Sequence, residues 1–487
     1  MMTPMNNTIT PTFNARFAQL GKDFSLPVSA DPLPQPRLVD ACPVLAATFG
    51  LDVQQQAHQD WLTQITAGTA THMGMHPVAA LYAGHQFGHY VPQLGDGRAL
   101  LLGDSASTQG YREWQLKGAG VTPFSRRGDG RAVLRSSIRE YLVSHAMQGL
   151  GIPTTQALSL VASDLPVYRE TVETAACVCR IAPSFVRFGS FEVFYYRGQH
   201  HLLRELADYV IQHDYSDCLT QPNPYAAWLA QVVERTAHLM AQWQSVGFMH
   251  GVMNTDNMSI LGLTLDYGPF MFMETYQPDF ICNHSDDQGR YAFNKQPEIG
   301  LWNCACLAQA VMPLLADEEA ESLTIARDIL DAYWPQYHSH YVQLMRAKLG
   351  LQQAKDDDAL LIRNWLSLLA REQQDFTLAH RQLSRAQVSP FQSAEGQEWW
   401  QWYQHRLSSE SQSAAERVQA MEAVNPLYVL RTWIAQLAID AAQRGDFSVV
   451  SELRQLLANP CSEQFGKEGY AQPAPDWAKG LSLSCSS

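Results

Sequence analysis

Met249-His250-Gly251-Val252-Met253-Asn254-Thr255-Asp256-Asn257-Met258 gathers a histidine, two asparagines and an aspartate into ten residues. An Asp-Asn pair by itself marks no more than a turn, so its neighbours carry the interpretation. Upstream, residues 226–245 place Trp228, Leu229, Val232, Val233, Leu239, Met240 and Trp243 at helical spacing, which predicts an amphipathic helix ending at Gly247. Downstream, residues 258–265 predict a short hairpin turning near Gly262, and the hairpin delivers Asp266 in Leu265-Asp266-Tyr267-Gly268. Asn257 and Asp266 are oxygen donors of the kind a hard cation requires.

Helix, His, Asn and hairpin-borne Asp in this order have the form of a protein-kinase catalytic loop followed by its metal-binding Asp-Phe-Gly. His250 and Asn257 keep the spacing of that loop, but the position of the catalytic Asp holds Val252, and an Asp stands at Asp256 instead. Such a loop belongs either to a silent kinase or to one whose chemistry is re-aimed. The amino-terminal half supplies the other parts. Tyr111–Lys117 (YREWQLK) predicts a strand ending in a lysine, and residues 131–148 predict a helix carrying Glu140, the arrangement of the kinase Lys–Glu ion pair. Residues 91–103 contain Gly95-Asp96-Gly97 between apolar runs, a hairpin signal. Arg126-Arg127-Gly128-Asp129-Gly130-Arg131 precedes the helix, with Asp129 placed to cap it or to accept a hydrogen bond from a nucleotide. Arg180 and Arg187 are cations beyond the single lysine that phosphoryl transfer needs. If a triphosphate tail is gripped there as pyrophosphate, it becomes the leaving group and attack falls on the alpha phosphate; the alternative is two arginines in surface salt bridges.

The whole pattern resembles the selenoprotein O family, also called SelO or YdiU. The motifs that carry the resemblance are QLGDGR at 93–98, WQLKGAG at 114–120, RRGDGRA at 126–132, REY at 139–141, CRIAPSFVRFGSFE at 179–192, HGVMNTDNM at 250–258 and LDYGPF at 265–270. Cys485-Ser486-Ser487 is similar to the family's closing residues, where some members carry selenocysteine. The resemblance implies a kinase-like fold that binds ATP inverted relative to kinases and transfers AMP to Ser, Thr or Tyr hydroxyls of proteins. It implies UMP transfer from UTP with Mn2+ as a related activity. By the same resemblance Gly95, Gly97, Arg98, Asp129 and Gly130 contact the nucleotide. Lys117, Arg180 and Arg187 bind its phosphates and Glu140 orients Lys117. Asp256 is the base, and Asn257 and Asp266 hold Mg2+, Asp266 also meeting the nucleotide. Cys282 matches the position that pairs with the terminal Cys485 in a redox-sensitive disulfide. A kinase using Asp256 as a displaced base, and a silent nucleotide-binding scaffold (a pseudokinase), stay open as alternatives.

Length, 487 residues, accommodates a two-lobed core with additions. The expected fold is α+β and protein-kinase-like: an N-terminal extension at 1–70 packing on the core, a small lobe at 71–205, a large lobe with the catalytic loop at 206–345, and a mainly helical region at 346–487. That last region has a helix expected over 427–444, and Trp399, Trp400 and Trp402 are expected as a core cluster. Thirty-four basic against 48 acidic residues give a net charge of −14, which argues against nucleic acid or an anionic membrane as a partner. No basic segment followed by an apolar core occurs near residue 1, and the apolar stretch at 301–316 falls short of the ~20 residues of a membrane span. A cytoplasmic enzyme is expected. Nine dispersed cysteines do not form a disulfide framework, and Cys177/Cys179 and Cys304/Cys306 lack zinc-site spacing. His72, His76, His85 and His89 have no Glu or Cys nearby in sequence to complete a metal set.

Overall fold

Two pairs of long apolar segments, 99–117 and 156–182, build the centre of a nine-stranded antiparallel sheet. The computed structural model describes residues 11–478 together with 480 and 481. Its amino-terminal part contains β1 (Phe13–Asn14), β2 (Ser25–Pro27), β3 (Arg37–Ala41), α1 (Pro43–Thr48), α2 (Gln56–Thr66), β4 (Val78–Ala80), β5 (Gly84–Gln86), β6 (His89–Val91), β7 (Ala99–Ser107), β8 (Gly110–Lys117) and β9 (Ala132–Val133). There follow α3 (Leu134–Gly149), β10 (Gln156–Tyr168) and β11 (Val172–Ala182). The strand order is β2-β4-β7-β8-β11-β10-β3, with β1 on β7 and β9 on β11. Residues 13–41 enter the sheet itself as β1, β2 and β3.

The two-residue period of a strand assigns each side chain to a face. Leu100, Leu102, Trp114, Leu116, Cys177, Cys179 and Ile181 pack with α1 and α2 in one core. Leu101, Ala176 and Val178 point the other way, into a core shared with α3. The Cys177/Cys179 pair is therefore two core side chains on one face, both fully buried. Lys117, Gln115 and Arg180 fall on the α3 face, since Arg180 is opposite Gln115 in the β8–β11 register.

The rest of the chain is chiefly helical: α4 (Phe188–Tyr196), α5 (His200–Asp214), α6 (Pro224–Ser245), the pair β12 (Phe248–Met249) and β13 (Met271–Phe272), α7 (Gln296–Leu315), α8 (Glu319–Asp331), α9 (Tyr333–Lys348) and α10 (Asp358–Arg371). Then come α11 (Phe376–Leu383), α12 (Ala394–Leu407), α13 (Ala414–Val424), α14 (Thr432–Gln443) and α15 (Ser448–Ala458). The predicted 226–245 helix is α6, with Asn223 capping it and Pro224 in its first turn. The hairpin expected over 258–265 is reduced to one bridge, Met258 to Thr264, closed by Gly262 at φ +67. The helix expected from 427 begins at Thr432: Leu427 and Tyr428 instead donate to the Pro460 carbonyl, so extended chain precedes the helix. Trp399 lies in a core with Trp365, Phe391 and Tyr403, while Trp400 and Trp402 pack at its edge.

The apolar stretch judged too short for a span is part of a longer helical run. Phe293–Leu315, 23 residues, has the length and composition to cross a membrane, and its most apolar 18-residue window, with mean hydropathy 1.3, is 61% buried inside the protein, as in a core helix. The carboxy-terminal helices return to the sheet. Asp40 of β3 accepts from Tyr141 of α3 at 3.1 Å and from Ser451 and Arg454 of α15 at 2.9 and 2.5 Å.

Trp114 tests the amino-terminal arrangement. Its ring is fully buried against Phe13, Phe49 and Trp61, and its indole N–H donates to Ser105 Oγ at 2.7 Å. Trp114→Ala should cost about 3–5 kcal/mol of stability in urea unfolding. A loss below about 1 kcal/mol, the range of surface changes, would contradict this packing.

Candidate active site

The α3 face of the sheet meets the 250–257 loop and the 266–269 segment around a cavity of about 600 Å³. Lys117, at the end of β8, extends into it, and Glu140 of α3 meets its ammonium at 2.5 Å. Arg180 of β11 lies beside them, 3.1 Å from Glu140, and also donates to the Gln115 amide oxygen. Asp266 receives Arg180 at 2.5 Å, Arg187 at 2.6 Å and Lys117 at 3.6 Å. Burial alone would raise the Asp266 carboxyl, but the three cations hold it well below the usual carboxylate range. Burial pulls the Lys117 ammonium down, against the opposing pull of Glu140 and Asp266. Asp266 stands at φ +57, a left-handed backbone uncommon outside glycine.

Arg187, at the start of α4, ties the two loops together. It donates to the Asp266 carboxylate and, at 2.9 Å, to the Asp256 carbonyl, with its guanidinium 4.5 Å above the Tyr82 ring. His250 joins them from the other side: its Nε2 donates to the Leu265 carbonyl at 2.9 Å and its Nδ1 accepts from the Val252 N–H at 3.3 Å. Burial pushes its pKa down, and with one ring nitrogen donating and the other accepting, the ring serves as a strut.

Thr255–Asn257 form a single 3-10 turn. The Asn257 amide nitrogen donates to the Val252 carbonyl at 3.0 Å, which leaves its oxygen as the ligand atom. Asp256 is 8% exposed. Its Oδ2 accepts from Gln86 Nε2 at 3.2 Å, and its buried Oδ1 has no hydrogen-bond partner among the described residues. Burial, opposed by Arg187, pushes its carboxyl up to about 6, close to where a general base operates best. Asn257 and Asp266 bring an amide oxygen and a strongly acidic carboxylate to one cavity, a donor set that suits Mg2+ or Mn2+.

Gly95, Gly97, Arg98, Asp129 and Gly130 all line the cavity, with Arg126, Arg127 and Arg169 around its rim. The 91–103 segment is not a hairpin. Val91 pairs back to Gly84, β7 pairs with β8, and residues 94–98 cross between the 80–82 and 122–125 segments. Gly95 is required there by its φ of +120 and because a Cβ would fall 2.5 Å from the Phe124 ring. Asp96 is buried and accepts from Ala80, Tyr82 and Gln115. Nor does Asp129 cap the helix. α3 begins at Leu134 after β9, and Asp129 accepts from the Arg131 N–H and from both Arg169 nitrogens, at 2.7 and 2.9 Å.

The fold also supplies the acidic and thiol groups that the sequence does not place near the histidines. Ligand atoms of His85, Glu192 and Cys306 lie within 4.8 Å of one another, and His85 Nδ1 is 2.7 Å from Glu192 Oε1. His85 and His89 stand on the β5–β6 hairpin rather than on a helix. Gln115, Gln86, Tyr82 and Glu192 escape the sequence reading. Of these only Gln115 carried a usable signal, its i, i+2 spacing from Lys117 on one strand face. Cys282 is buried against the catalytic loop, where a Cβ on Gly251 would come 2.8 Å from its Sγ, and Cys485 lies outside the described residues.

Cations converging on a single carboxylate beside oxygen donors form a site that can receive the oxyanions of a polyphosphate. Residues 7–458 match the family model described as "Protein adenylyltransferase SelO", and the chain belongs to that enzyme family. It is 50% identical over 483 residues to "Protein nucleotidyltransferase YdiU" of Thioalkalivibrio sulfidiphilus, covering 97% of each chain. The proteins of the same name from Myxococcus xanthus and Pseudomonas fluorescens are 48% and 46% identical over 487 residues, covering 98% of this chain and 98% and 99% of theirs.

Glu140→Gln removes the carboxylate shared by Lys117 and Arg180. ATP affinity measured by calorimetry should fall about tenfold. Unchanged affinity would mean that Glu140 does not prepare these cations for phosphate.

Proposed function

We propose that the chain transfers AMP from ATP to Ser, Thr or Tyr hydroxyls of protein substrates, with the nucleotide inverted relative to protein kinases. The observation that carries this reading is the convergence of Lys117, Arg180 and Arg187 on Asp266, while Val252 occupies the position of the kinase base. Three cations suit a departing pyrophosphate better than a single transferring phosphoryl group. In this scheme the acceptor oxygen attacks the alpha phosphorus and the bond to the bridging alpha–beta oxygen breaks. Pyrophosphate leaves against Lys117, Arg180 and Arg187, and the hydroxyl proton passes to Asp256. Asn257 and Asp266 would hold Mg2+, or Mn2+ in its place, which would neutralise charge at the reacting phosphate. Gly95, Gly97, Arg98, Asp129 and Gly130 make the remaining nucleotide contacts. Because the named cations address the phosphates, UTP fits the same scheme and UMP transfer is proposed beside AMP transfer.

The reading carries an architecture with it. The sheet-bearing residues 71–205 act as a kinase-like small lobe, 206–345 as the large lobe, with 1–70 and 346–487 as additions. The dependence on ATP suits a cytoplasmic enzyme whose partners are proteins, and a net charge of −14 disfavours nucleic acid and anionic membrane. A Cys282–Cys485 disulfide would put a redox control behind the catalytic loop, since Cys282 packs on Gly251.

Label transfer from alpha-labelled and gamma-labelled ATP in parallel tests the reaction. Label should reach protein only from the alpha position, and Asp256→Ala should lower it by about 100-fold or more. Label only from the gamma position would make the protein a kinase with a displaced base. No label from either would make it a silent nucleotide-binding scaffold.

A further inference from the structure

The loop that carries Asp256 is held by a hairpin 170 positions earlier in the chain. The β5–β6 hairpin presents three successive residues to three successive loop residues. The His85 N–H donates to Thr255 Oγ1 at 2.7 Å, Gln86 Nε2 to Asp256 Oδ2 at 3.2 Å, and the Phe87 N–H to Asn254 Oδ1 at 3.3 Å. Beneath them Glu192 of α4 is fully buried. Its Oε2 accepts from Thr255 Oγ1 at 2.6 Å and its Oε1 meets His85 Nδ1 at 2.7 Å. The circuit is closed: His85 backbone to Thr255 hydroxyl, hydroxyl to Glu192, and Glu192 back to the His85 ring.

A buried carboxylate is costly unless its oxygens are paired. Both Glu192 oxygens are paired here, one of them with the neighbour of Asp256. Glu192 is fully buried with both oxygens engaged by Thr255 and His85, so it has none to offer a substrate. The space for Asp256 is equally restricted. A Cβ on Gly84 would fall 2.6 Å from Asp256 Oδ1, and one on Gly189 would fall 2.1 Å from the Ala83 carbonyl. The turn carrying the base therefore sits between a hairpin and a helix start that have no room to yield.

We propose that Glu192 is a positioning residue for nucleotide transfer: through Thr255 and His85 it fixes the 255–257 turn against the β5–β6 hairpin, so that Asp256 meets the acceptor hydroxyl in one geometry. The proposal rests on the reading of Asp256 as the base. Its consequence is a division of labour. Lys117 and Arg180 are held by Glu140, Gln115 and Asp266 rather than by the turn, so loosening the turn impairs transfer far more than ATP binding.

The test compares Thr255→Val, Thr255→Ser and Glu192→Gln in the full chain, with Asp256→Asn alone and combined with Thr255→Val. Thr255→Val and Glu192→Gln should each lower kcat for AMP transfer about 10- to 100-fold, with a much smaller change in KM for ATP. Thr255→Ser, which keeps the hydroxyl, should restore kcat. In the Asp256→Asn background, Thr255→Val should cost nothing further, because the two act as a unit. Unchanged kcat in Thr255→Val, a parallel change in KM, failure of Thr255→Ser to restore the rate, or additive losses in the double variant would each overturn the positioning role. Full activity of Asp256→Asn alone would instead overturn the assignment of the base.

Discussion

Asp266 is the hub on which the site depends. Lys117 comes from β8, Arg180 from β11 and Arg187 from the start of α4, and they converge on one carboxylate that arrives from the helical part of the chain. Breaking a buried ion pair by removing one partner costs ~3–5 kcal/mol, because the other charge is left uncompensated. The sheet and the catalytic segment are thus held in register by electrostatics as well as packing. Three cations face two carboxylates, Glu140 and Asp266, so these five groups carry one positive charge in excess. That excess is a standing preference for an anion.

The arrangement also divides the roles of three acidic groups in one cavity. Asp266 is held strongly acidic by its cations and is suited to a metal. Asp96, buried and receiving donors from three residues, braces the 94–98 crossing. Asp256, pushed up to about 6 by burial, has one oxygen without a partner among the described residues. Environments that push neighbouring carboxyls apart are how one site separates a metal ligand from a proton acceptor. Val252 fits this division: with that position apolar, Asp256 is the carboxylate that the 250–257 loop brings to the cavity.

Much of the site was legible because its parts follow local rules. Lys117 at a strand end, Glu140 on the next helix and the His250–Asn257 spacing each depend on a short window of sequence. What escaped depends on distant partners. Glu192 gains its meaning from His85, 107 positions away, and Gln86 from Asp256 at a separation of 170. Gly95-Asp96-Gly97 has the composition of a hairpin turn, but β7 turns back on β8 and leaves those glycines for a close crossing under Phe124. Asp129 had the right residue type for a helix cap, but β9 displaces the start of the helix and Arg169 takes the carboxylate. In each case a tertiary contact overrode a correct local preference.

In the proposed reaction these cations grip the distal phosphates and leave the alpha phosphate at Asp256. The most direct measurement is a crystal structure of the protein with Mg2+ and an ATP analogue whose alpha–beta bridge is a methylene group. The account predicts the alpha phosphate beside Asp256 and Asn257, with the beta and gamma phosphates against Lys117, Arg180 and Arg187. A gamma phosphate nearest Asp256, with the alpha phosphate against the three cations, would contradict it.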